Sequence, residues 1–98
     1  MIKLSEDEKV ILRNIDKRYR WIARDDYGFL YIYVVKPLKS IRTWTVQRVD
    51  EWAYLSEFHH LFSFIKWEDE EPYLIEDLLK MEGEKKENAK NKIIIAKL

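Results

Sequence analysis

Ninety-eight residues, 47% hydrophobic and 37% charged, suffice for one domain with a single core. The chain has no cysteine, which excludes disulfides, thiolate catalysis and Cys-based zinc sites, and no uncharged stretch approaches the ~20 residues of a membrane helix. A net charge of zero hides a split: residues 17–48 carry eight cations against Asp25 and Asp26, a net +6, and residues 50–79 carry nine acids against Lys66, a net −8. Such a chain either pairs its charges internally or shows two faces of opposite sign.

Ser5 and Glu8 stand at capping-box spacing, so a helix is expected to start there, with Glu6 and Asp7 in its first turn. Ile11 and Ile15, broadened by Val10 and Leu12, give it one apolar face, and the pattern fades at Asn14-Ile15-Asp16. Two β-rich runs, 20–24 and 29–35, then flank Asp25-Asp26-Tyr27-Gly28, in which Asp favours the turn and Gly28 supplies positive φ. A four-residue loop would set Arg24 opposite Phe29, Ile22 opposite Tyr31 and Arg20 opposite Tyr33. One face would then hold Arg20, Ile22, Arg24, Tyr31, Tyr33 and Val35. The other, with Trp21, Ala23, Leu30, Ile32 and Val34, is the drier and is expected to face the core.

Lys36-Pro37 closes that strand, and Ile41–Val49, rich in Thr, Val and Trp, reads as a third. Residues 50–55 fit either a short fourth strand, with Trp52 and Tyr54, or a loop. Ser56 could cap a helix in which Phe58, Leu61, Phe62 and Ile65 form an apolar stripe. The link 67–72 leads through Pro72, suited to a first helical position, into a helix over 73–81 with Leu74, Leu78 and Met81 on one stripe. The expected fold is α+β: an N-terminal helix, a three- to four-stranded antiparallel sheet, then two helices packed on one sheet face. Residues 1–83 make the domain. Residues 84–98 form a charged tail whose end, Ile93 to Leu98, is apolar enough to pair with a sheet edge.

Catalytic equipment is sparse, and no enzyme is expected. His59 and His60 are adjacent, and neighbouring helical residues diverge too far to share a metal. The acids 68–71 lack calcium-loop spacing and suit a helix N-terminus instead. None of the serines Ser5, Ser40, Ser56 and Ser63 sits in a glycine-flanked elbow, and two glycines cannot build a phosphate loop. No cofactor or metal is implied. The one constellation with a functional version is basic and aromatic: Arg20, Arg24, Tyr31, Tyr33, Arg42, Trp44 and Arg48 could form a binding surface for a protein or for single-stranded nucleic acid. Arginine stems covering exposed rings, with the acidic half pairing some of them, would explain the same residues.

Trp21-Ile22-Ala23-Arg24-Asp25, Gly28-Phe29-Leu30-Tyr31, Lys36-Pro37 and the run from Leu61 to Tyr73, with its Trp–acidic–Pro–Tyr junction, resemble short uncharacterised proteins of phages and prophages of Gram-positive bacteria. The likeness spans about residues 5–80 and brings no known activity, cofactor or catalytic residue. It implies an accessory role in a host cell's cytoplasm, where the N-terminus, lacking a signal peptide's apolar run, also points. The expected function is capture of a host or phage protein, for host takeover or to blunt a defence. Alternatives are a single-stranded nucleic-acid binder on the same face and an assembly component. No membrane partner is expected, and the chain would be a monomer or weak homodimer.

Overall fold

The computed structural model describes residues 2–55 and 57–81, so the cap expected at Ser56 and the tail expected over 84–98 lie outside the described residues. The Ser5 hydroxyl accepts the Glu8 N–H at 3.2 Å and Glu8 Oε1 accepts the Ser5 N–H at 2.8 Å. That reciprocal cap opens α1 (Glu6–Asn14), which buries Leu12. Glu8 is itself buried because its second oxygen, Oε2, accepts the N–H of Phe62, 54 residues away. One side chain thus caps a helix and pins a distant loop.

Four strands form the main antiparallel sheet in the order β5-β2-β1-β6: β1 (Trp21–Arg24), β2 (Leu30–Tyr33), β5 (Trp52–Tyr54) and β6 (Tyr73–Leu74). A separate pair, β3 (Leu38–Lys39) and β4 (Trp44–Thr45), replaces the longer third strand expected over 41–49. A 3₁₀ turn (Val49–Glu51) leads into β5, so the ambiguity over 50–55 resolves as turn, then strand. The fold is α+β, with helix and antiparallel sheet packed on a common core.

The hairpin register differs from the expectation by one residue. Arg24 pairs with Leu30, Ala23 with Tyr31, Ile22 with Ile32 and Trp21 with Tyr33. The cause lies in the turn: Asp25 Oδ1 accepts the N–H groups of both Tyr27 (3.0 Å) and Phe29 (2.9 Å), and the Asp25 N–H reaches Phe29 O (3.0 Å). These bonds draw Phe29 opposite Asp25 and leave a three-residue loop with Gly28 at φ +89°, where glycine is favoured. The slip regroups the side chains. Ile22, Leu30 and Ile32 face the main core with Leu4, Leu12, Phe62, Ile65, Ile75 and Leu78, while Trp21, Ala23, Tyr31 and Tyr33 share the other face.

Two helical expectations are corrected. Residues 57–66 form successive turns, with Phe58 N–H bonded to Leu55 O, Leu61 N–H to Phe58 O and Ile65 N–H to Phe62 O. The apolar stripe still reaches the core, but without a helix, since Phe62 sits at φ +57° and Arg24 takes up carbonyls that an α-helix would use itself. Pro72 does not begin a helix either. Tyr73 and Leu74 first add to β1 as an edge strand opposite Ile22 and Trp21, and α2 (residues 75–81) starts afterwards. Among the described residues, no helix is long and apolar enough to cross a membrane.

Candidate functional site

Alternation along the three adjacent strands puts Trp21 and Ala23 of β1, Tyr31 and Tyr33 of β2, and Trp52 and Tyr54 of β5 on the sheet's outer face, away from the main core. The β3–β4 hairpin folds over part of it. Trp44, 6% exposed, packs on Ala23 and Tyr33, meets Trp67 edge-to-face at 6.1 Å and donates its indole N–H to Arg24 O at 3.1 Å. Lys39 clamps the arrangement: its ammonium lies 4.2 Å from the Trp67 ring and 5.5 Å from that of Trp44, and donates to Trp67 O and Asp69 O.

Beyond the hairpin the face is uncovered. Phe29, Trp52 and Tyr54 remain 40–44% exposed. Their rings form a connected row: His59 to Phe29 at 4.8 Å, Phe29 to Tyr54 at 5.9 Å, Tyr54 to Tyr31 at 5.2 Å and Tyr31 to Trp52 at 5.4 Å. His59 Nδ1 accepts the Leu30 N–H (3.2 Å), so the neutral ring carries its proton on Nε2, which donates to Tyr54 Oη at 2.8 Å. His59 therefore orients an aromatic side chain. Among the described residues, no His, Asp and Glu group could hold a metal ion.

Between the covered and uncovered parts lies a cleft of about 270 Å³, walled by Tyr31, Tyr33, Trp44 and Trp52, with the exposed Thr43 and Thr45 and the buried Asp25. Asp25 is 3% exposed. Its Oδ1 serves the turn, while Oδ2 makes no hydrogen bond and Asp25 makes no ion pair among the described residues. Burial pushes the Tyr33 phenol well above its ordinary value of 10.0, and Tyr31 and Asp25 push it further. Tyr31 shifts the same way, first by burial and then by Asp25 and Tyr54. Both hydroxyls are therefore neutral donors throughout the physiological range. A second, more open depression of about 370 Å³ is lined by His59, His60 and Ser63 with Asp26 and Lys66. His59 is engaged with Leu30 and Tyr54.

The seven residues singled out in the sequence do not form one surface. Tyr31, Tyr33 and Trp44 meet in the cleft, two of them buried. Arg24 projects to the opposite face, where its guanidinium donates to the carbonyls of Gly28, His59, Leu61, Phe62 and Ile65. Arg42 pairs with Asp26 at 3.0 Å, Arg48 meets both oxygens of Asp50 at 3.1 Å, and Arg20 lies 3.9 Å from Glu76. The charge split thus closes partly on itself. Trp52, Tyr54, Phe29 and Asp25 complete the site without having been singled out. For the first two, the signal was the alternation that Trp52 and Tyr54 share with Tyr31 and Tyr33; for Asp25 there was only its turn chemistry.

No protein-family model matches the chain, and neither does any curated protein or solved structure. Fold and site together define a small α+β domain with an aromatic outer sheet face and a carboxylate-bearing cleft.

Proposed function

We propose that this domain is a binding module, not a catalyst, and that it holds a partner polypeptide against the outer face of its sheet. One observation carries the reading: three half-exposed aromatic rings line up beside the edge strand β5. Val34 N–H bonds to Glu51 O and Leu55 N–H to Leu30 O, so Glu51, Ala53 and Leu55 turn their backbone groups inward. Trp52 and Tyr54 consequently present theirs outward, where no described strand pairs with them. An extended segment can add there as a further strand and lay side chains against the rings, which are the residue types that dominate binding energy at interfaces.

The resemblance to phage and prophage proteins supplies the setting: an accessory protein in a bacterial host's cytoplasm that binds a host or phage protein. The pairing of Arg20, Arg42 and Arg48 with carboxylates lends the nucleic-acid alternative less support. The test is affinity capture from nuclease-treated lysate of a Gram-positive bacterium with the wild type and a Trp52→Ala/Tyr54→Ala variant. A partner retained by the first and lost by the second is expected. Equal recovery by both, or recovery that depends on nucleic acid, would refute the reading.

A further inference from the structure

Resting on that reading of the outer face, we infer that the cleft between sheet and β3–β4 hairpin is the socket for one basic side chain of the partner polypeptide, with Asp25 as its counter-ion. A carboxylate that is 3% exposed, makes no ion pair among the described residues and interacts with the Arg24 charge only at longer range is costly to keep. The turn does not need that charge. It uses only Oδ1, which an asparagine oxygen would replace, and Asp25 lines a cleft that opens to solvent. The nearby cations are already engaged, Arg42 with Asp26 and Arg24 with five carbonyls on the far side of the sheet.

The walls favour the same occupant. Tyr31, Tyr33, Trp44 and Trp52 offer ring surfaces, whose negative faces attract ammonium and guanidinium groups. The chain applies this chemistry on the same face, with Lys39 over Trp67 at 4.2 Å and Lys36 over Trp21 at 5.7 Å. The cleft, about 270 Å³, has room for one long side chain. The cleft also adjoins Trp52, so a residue of a strand added at β5 lies within reach of it.

Amide chemical-shift titration tests the socket with three capped peptides, N-acetyl-Thr-Val-X-Val-Thr-amide, where X is lysine, arginine or norleucine. Saturable shifts at Thr43, Thr45 and Trp52 are expected with lysine or arginine, with a dissociation constant at least tenfold below that for norleucine, or about 1.4 kcal/mol tighter. Asp25→Asn keeps the turn acceptor and should abolish the difference while the spectrum stays dispersed. Equal binding of all three peptides, undiminished lysine and arginine binding by Asp25→Asn, or no shift with either basic peptide would each overturn the socket. None of these outcomes touches the partner-binding reading, which the Trp52→Ala/Tyr54→Ala capture judges separately.

Discussion

Arg24 is the residue on which the expected surface and the observed structure disagree most, and its replacement has a calculable consequence. Arg24→Met keeps most of the apolar stem and removes five hydrogen bonds, of 2.7 to 3.1 Å, to the carbonyls of Gly28, His59, Leu61, Phe62 and Ile65. Each charge-assisted bond contributes about 1.5–3 kcal/mol net, but water reaches some of the freed carbonyls, so the five do not add. A loss of about 3 kcal/mol follows, the equivalent of one or two such bonds. A domain of this size holds only about 5–15 kcal/mol in all. With a urea slope of about 1–3 kcal/mol per molar, the unfolding midpoint should fall by about 1 M or more. Arg24→Lys should be intermediate, because a compact ammonium with three donors cannot span five carbonyls. A midpoint shift below about 0.3 M at unchanged slope would refute the claim that Arg24 organises the 57–65 turns.

Glu8→Ala should cost about 2–3 kcal/mol against about 1 kcal/mol for Ser5→Ala, since the first also strands the buried Phe62 N–H; urea titrations giving the opposite order would contradict that link. Burial raises the Tyr33 phenol in the folded state above 10.0, so the unfolded chain loses that proton first and stability is fully present below about pH 10 and falls above it. The fall attributable to Tyr33 is about 1.4 kcal/mol per pH unit, and Tyr33→Phe should remove that share of the alkaline slope. Gly28→Ala should cost about 1 kcal/mol from backbone alone, because φ is +89° and no atom lies within 4 Å of the added methyl; a loss above about 3 kcal/mol would point to a clash absent from the structure.

Local structure is legible in the sequence wherever neighbouring residues supply the bonds. The Ser5–Glu8 cap, the strands around Asp25–Gly28 and the core membership of Phe62 and Ile65 all follow from spacing. Structure is not legible where distant groups decide. Phe58, Leu61, Phe62 and Ile65 carry a helical period, yet Arg24 and Glu8 bind the backbone of that segment in turns, and neither contact leaves a trace in local sequence. The hairpin register turned on whether Asp25 Oδ1 would recruit one or two N–H groups, a choice that moves every side chain of β2 relative to β1. For the site, the rings Tyr31, Tyr33 and Trp44 were legible as a cluster. The arginines leave that cluster because each answers to an acid or carbonyl that only the folded chain brings near.

Hydrogen exchange on the captured complex bears most directly on the claim that the outer sheet face is the binding surface. Protection gained over residues 29–33, 43–46 and 52–54, with α1 unchanged, is the predicted footprint. Protection confined to α1 or to α2, with 52–54 exchanging as in the free protein, would contradict it.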